Sequence, residues 1–226
     1  MLQLALRINL ARKDSSGMSK RNKAVLAIII FIAVLFVDQI IKVWVKTNMH
    51  LHESIHVFDW FYISFIENNG AAFGMEVFGK LFLSIFRIVA VIVVGYYIVQ
   101  QIKSHARTGY IVCLSLVLAG AAGNIVDSLV YGQIFTMSTP FEIASTVDFG
   151  NGYAPMLMGK VVDMFYFPII DTTWPTWMPM VGGEHFVFFS PVFNFADASI
   201  SCGIVALLIF YRKELSKISL RKELKI

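Results

Sequence analysis

The order of apolar and polar residues divides the chain into four long apolar runs, at about 24–45, 81–99, 110–131 and 194–211, joined by stretches in which polar, aromatic and small residues mix. A helix rises 1.5 Å per residue, so about 20 apolar residues cover a hydrocarbon core roughly 30 Å thick. Each run is therefore read as a membrane-spanning helix. Between the first two, alternating apolar positions from Val57 to Ile66 predict a short strand, and Asn69-Gly70 predicts a tight turn. Between the last two, Lys160 to Tyr166 is a strand-like apolar run that encloses a lone aspartate, Asp163. The expected fold class is an all-α integral membrane protein, four transmembrane helices with a small extracytoplasmic β-containing region. The membrane domain is expected at 24–211, after an N-terminal segment at 1–23 and before a basic tail at 212–226. Met18 opens a basic stretch that reads as a natural start, so the first 17 residues are expected to be dispensable.

Composition agrees with this picture: 57% of the 226 residues are hydrophobic and only 15% charged, with a mean hydropathy of +0.69. The net charge of +4 does not call for a nucleic-acid partner. Its basic residues cluster at both ends and in the connection around Lys103, His105 and Arg107, where the positive-inside rule places them on the cytoplasmic side. The long connections then lie outside. Cys113 and Cys202 make no metal or disulfide spacing and are read as small core residues. His50, His52 and His56 have no zinc-like pattern and are read as solvated. No metal is expected.

The polar residues inside the apolar runs narrow the chemistry, because lipid does not tolerate them without a partner. Asp38 and Lys42 stand four apart on one helix face, the spacing of an ion pair, and Lys42 is long enough to extend toward the interface. That pair either orients a helix end or serves a site. Lys80 opens the second run, and Arg87 within it faces protein or reaches for its nearer interface. In the third run Gly120, Gly123, Asn124 and Asp127 share a face, so a neighbouring helix can approach while an amide and a carboxylate point into the contact. In the fourth, Asn194, Asp197 and Ser201 recur at i, i+3 and i+7. Asp197 is read equally as a cap on the helix N-terminus or as a group kept for chemistry. Asp163 lies in apolar surroundings that penalise its charge and raise its pKa. Spacing alone does not choose between Asp127 and Asp163 as a partner for Asp197.

Asp38 with Lys42, Asn68-Asn69-Gly70-Ala71-Ala72-Phe73-Gly74, Gly123-Asn124-Ile125-Val126-Asp127, Val161-Val162-Asp163 and Phe193-Asn194-Phe195-Ala196-Asp197 together resemble, in order, the motifs of lipoprotein signal peptidase (signal peptidase II). The resemblance spans about 24–211. It implies a membrane aspartyl endopeptidase that removes the signal peptide from bacterial prolipoproteins just before their diacylglyceryl-modified cysteine. It implies Asp163 and Asp197 as the catalytic pair, with Asp38, Lys42, Asn68, Gly70, Asn124, Asp127 and Asn194 binding substrate or supporting the site. It implies no cofactor, prolipoprotein and membrane lipids as partners, and the bacterial inner membrane as location, with the active site near the outer face. Two features depart from the family pattern. Ser128 stands where an arginine commonly follows the Gly-Asn-x-x-Asp motif, and the stretches 132–160 and 169–191 look long. A proton- or ion-coupled transporter is the alternative reading of the buried charges, disfavoured by the lack of inverted repeats.

Overall fold

A computed structural model describes residues 18–68 and 76–216. Its frame is four helices: α1 (Lys20–Asn48), α2 (Glu76–Lys103), α3 (Thr108–Val126) and α4 (Phe195–Phe210). Ser19 caps α1, its hydroxyl accepting the Asn22 N–H at 3.2 Å. α3 does not stop at Val126. It widens into a π-helical turn, Asp127–Tyr131, and closes with a short turn, Gly132–Ile134, giving a continuous rod from Thr108 to Ile134.

The outward faces of α1, α2 and α4 are apolar, with Ile28, Ile32 and Phe36, then Phe86 and Val93, then Leu208 and Phe210 all exposed. Contiguous apolar surface of that extent suits lipid and not water. α3 is the hub of the bundle and is largely buried. Among the described residues, three helices are long and apolar enough to cross a membrane. α4, with 16 residues, is shorter. At 1.5 Å per residue it extends about 24 Å, because its first turn is occupied by the polar group described below.

The expected β-containing region is more than a single strand: among the described residues, six strands form two antiparallel sheets beside the helices, so the all-α label is too narrow. β1 (Ser54–Phe58), β2 (Phe61–Asn68), β3 (Val161–Tyr166) and β6 (Val192–Phe193) pair in the order β1-β2-β3-β6. The single strand expected across 57–66 is the greater part of a hairpin, turned at Asp59-Trp60. β4 (Ile170–Thr173) and β5 (His185–Phe188) form a separate hairpin carrying exposed Trp177 and Met180 at its tip. Local hydrophobic pattern missed this pair because few of its apolar residues are buried.

Strand alternation decides which side chains reach the bundle. Val162 and Met164 enter a core with Val45, Met49, Phe65, Tyr131 and Phe135. Asp163, one step out of phase, points the other way and is still buried, at 4% exposure. β3 pairs Phe165 with Phe193 on β6, and β6 leads directly into α4. One strand and one helix start are thereby held side by side, each contributing an aspartate.

Candidate active site

The site is built where α1, α3 and the start of α4 converge, and glycines make the convergence possible. A Cβ on Gly120 would lie 2.3 Å from the Ala196 carbonyl oxygen, and one on Gly123 would lie 2.6 Å from an Asp38 carboxylate oxygen. With both positions empty, the first turn of α4 seats against α3 and Asp38 reaches past it. Asp38 Oδ1 accepts the Ala196 N–H at 2.8 Å, so a carboxylate of α1 satisfies a free N–H of α4.

Lys42 occupies the centre of this junction. Its Nζ lies 2.9 Å from Asp38 and 2.8 Å from Asp127, and it donates to Asn124 Oδ1 at 2.9 Å. All three charged side chains are fully buried. The ion pair expected at i, i+4 is present. The expected extension of Lys42 toward an interface is not, because a second carboxylate from α3 holds it inside. Gln39 completes the group, donating to Asp127 Oδ1 at 2.9 Å and Asp38 Oδ2 at 3.1 Å and accepting from the Tyr131 hydroxyl at 3.1 Å. Asp127 also accepts the Val162 N–H of β3 at 3.3 Å.

Lys42 has only donors, so the Asn124 oxygen must face it and the Asn124 amide nitrogen must face away. That nitrogen donates to Asp197 Oδ1 at 2.8 Å. Asn194 donates to Asp163 Oδ1 at 2.6 Å and to Asn124 Oδ1 at 3.1 Å, while its own oxygen accepts the Asp197 N–H at 2.8 Å. Asn68, at the end of β2, hydrogen-bonds Asp163 as well. Asp163 and Asp197 are thus two carboxylates held by neutral amides. Asn194 is the N-cap of α4 in a capping box with Asp197, so the helix cap is built from two residues of the candidate site.

Burial pushes the Asp163 carboxyl up to about 7, and the nearby Asp197 charge adds to the rise; hydrogen bonds from Asn194 and Asn68 and the charge of Lys42 pull against it. The raised value means the fold favours protonated Asp163. Its contribution to stability is full below the ordinary carboxylate range and is lost as pH rises through about 7.

The long 132–160 connection folds back under the site. Gly159 donates its N–H to the Ser128 carbonyl at 3.0 Å, and a Cβ there would meet the Asp127 carbonyl oxygen at 2.1 Å. The π-helical turn opens the helix at the point where this loop docks. Ser128 is buried and donates to the Asn124 carbonyl at 3.1 Å. A further cluster ties the connection to β2: Lys46 pairs with Glu67 and Ser138, Lys160 lies 3.2 Å from Glu67, and the Tyr153 ring lies 4.9 Å from Lys46.

Asp38, Lys42, Asn124, Asp127, Asp163, Asn194, Asp197 and Asn68 therefore meet in one place. Gly70 and the Asn69-Gly70 turn lie outside the described residues. Ser201, expected on the Asn194–Asp197 face, stands one helical turn after Asp197 and is exposed. Cys202 is exposed too, not a core residue, while Cys113 is buried. His50 and His56 pair with Glu53 and Asp59 at exposed positions. No group of His, Cys, Asp or Glu among the described residues is arranged to hold a metal ion. Gln39, Tyr131 and the Lys46–Glu67–Lys160 cluster were not anticipated. Gln39 had one signal, its place beside Asp38 inside an apolar run.

Comparison with known proteins gives a consistent result. The sequence profile of a family described as signal peptidase (SPase) II matches residues 30–212. A lipoprotein signal peptidase of Porphyromonas gingivalis is 49% identical over 197 residues, covering 87% of this chain and 86% of that protein. Another, from Amoebophilus asiaticus, is 32% identical over 190 residues, covering 80% and 75%. A bacterial membrane enzyme solved by the in meso method superposes with a TM-score of 0.55 at 25% identity, over 84% of this chain and 90% of its own.

Proposed function

Because the chain belongs to the signal peptidase II family and removes signal peptides from prolipoproteins, we propose that it does so as an aspartyl endopeptidase whose dyad is Asp163 and Asp197. One observation carries the assignment. Among the described residues these two carboxylates face each other's charge with only neutral amides bound to them, whereas Asp38 and Asp127 both pair directly with Lys42. Two neighbouring carboxylates without a cation between them hold one proton in common.

With one proton shared, the ionised member takes a proton from a water as it attacks the scissile carbonyl. The protonated member donates to that carbonyl oxygen and later to the leaving amine. The roles belong to the pair and are assigned to neither residue alone. Asn124 and Asn194 hold the carboxylates in place, and their cage ties the dyad to the buried ion cluster. The cleaved bond is the one before the diacylglyceryl cysteine, the lipid chains remaining in the bilayer beside the apolar helix faces. In this reading both termini are cytoplasmic, the sheets lie at the extracytoplasmic face, and the membrane is the bacterial inner membrane.

The test is cleavage of a diacylglyceryl-modified prolipoprotein by purified Asp163→Asn and Asp197→Asn. Each should lose about 1,000-fold or more in kcat while eluting as the folded protein in detergent. Ordinary turnover by either variant would remove that residue from the dyad.

A further inference from the structure

α2 carries a polar stripe that the dyad does not use. Most of its surface is apolar and outward, as at Phe82, Phe86, Ile92 and Val93. Lys80, Ser84 and Arg87, at i, i+4 and i+7, form one face that turns inward. Ser84 fixes its direction, donating to the Leu157 carbonyl at 2.9 Å beside the end of the 132–160 connection. Lys80 is 2% exposed. Its Nζ and the Arg87 Nη1 are both buried with no hydrogen-bond partner among the described residues. Both cations lie within electrostatic reach of Asp127 and Asp163, and Arg87 is also within reach of Asp197.

Buried donors without acceptors are costly, so something is expected to complete them. The local charges indicate what. Asp38, Asp127 and a dyad holding one proton are balanced by Lys42, Lys80 and Arg87, so an added anion would upset the balance and a neutral acceptor would not. A peptide cut inside a membrane supplies such acceptors. Its backbone must be extended around the scissile bond, which leaves its carbonyl oxygens without the partners a helix would give them inside the bilayer. Lys80 and Arg87 are two helical turns apart, roughly 10 Å, and carbonyl oxygens on one side of an extended chain recur every second residue, roughly 6.6 Å, so these two long side chains can reach oxygens two or four residues apart.

We propose that Lys80 and Arg87 form a backbone clamp, donating hydrogen bonds to carbonyl oxygens that face the same side, two or four residues apart, in the extended signal-peptide segment N-terminal to the scissile bond. The clamp rests on the dyad reading and would make α2 the wall against which the peptide is laid for attack by Asp163 and Asp197.

The test pairs enzyme variants with substrate variants. In the active protein, Lys80→Met and Arg87→Met should each raise KM about tenfold for a diacylglyceryl-modified prolipoprotein peptide, with kcat at the optimum pH within about threefold. In an Asp163→Asn background the same changes should weaken binding of the fluorescently labelled peptide about tenfold, and Arg87→Lys should recover part of it. Wild-type protein should bind more weakly any peptide whose clamped amide is replaced by an ester, a poorer acceptor, and Arg87→Met should show no added loss at its own position. Unchanged binding in the variants, a large fall in kcat at the optimum pH, or indifference of the wild type to esters throughout the segment would each overturn the clamp. Because the ester series needs no variant to fold, it decides the matter even if the methionine proteins are unstable. Cleavage by Asp163→Asn would sink the dyad reading instead and leave the ester series to judge the clamp.

Discussion

Two pairs of carboxylates sit within one connected hydrogen-bond network, and they do opposite work. Asp38 and Asp127 are fully buried around Lys42, with every polar neighbour arranged to support their charge. Asp163 and Asp197 have amides for neighbours, and Asp197 is half-buried, open on one side. The difference is one lysine. A lysine between two carboxylates turns them into a clasp joining α1, α3 and α4. The other pair, the proposed dyad, has no such cation bound to it among the described residues. Asn124 is the hinge between the two regions, accepting from Lys42 on one side and donating to Asp197 on the other.

The sharpest way to break this comparison is to neutralise one member of each region and measure both activity and stability. Asp163→Asn removes the dyad's proton exchange and should cost about 1,000-fold or more in kcat, yet leave the melting temperature in detergent unchanged or slightly raised, since it deletes a carboxylate that burial disfavours at neutral pH. Lys42→Met should do the reverse. It leaves Asp38 and Asp127 buried without their cation, a loss of about 3–5 kcal/mol, and should appear as a protein that aggregates or melts far earlier. If Lys42→Met melts normally, the cluster is not the clasp described here.

Much of this division was legible in the chain. Asp38 and Lys42 at i, i+4 announced their pairing, and Gly120, Gly123, Asn124 and Asp127 announced a close polar contact. What spacing did not show was that Lys42 also takes Asp127, because that contact joins residues 85 apart in the chain. For the same reason the residues alone left Asp127 and Asp163 level as partners for Asp197, and only the family resemblance separated them. The β4–β5 hairpin was illegible for a different reason. Its strands bury little, so they carry none of the alternation that a half-buried strand imprints on a sequence.

A smaller effect is expected at the glycine that lets the regions meet. Gly123→Ala would place a methyl 2.6 Å from an Asp38 carboxylate oxygen and 3.1 Å from the Ala196 side chain. α4 would have to shift away from α3, at a cost of about 1–3 kcal/mol. Since α4 carries Asp197 and Asn194, stability and kcat should fall together, which neither substitution above produces. A loss of stability with kcat intact would show that the dyad tolerates movement of α4.

The finest probe is the amide that joins cap to dyad. Asn194→Ser keeps a good helix N-cap but deletes the N–H that reaches Asp163 at 2.6 Å. That hydrogen bond favours the ionised carboxylate and lowers its pKa from where burial alone would put it. Removing it should therefore raise the Asp163 value above about 7. Activity that needs one proton on the dyad falls on the alkaline side as the pair loses that proton, so with Asp163 raised to about 7 the wild type should decline through about pH 7. In Asn194→Ser that decline should move upward, by about one pH unit if the lost bond is of ordinary strength for a charged acceptor. A downward shift would mean that the amide stabilises the protonated form, and the general-base and general-acid roles would then have to be assigned around a neutral Asp163 that never releases its proton.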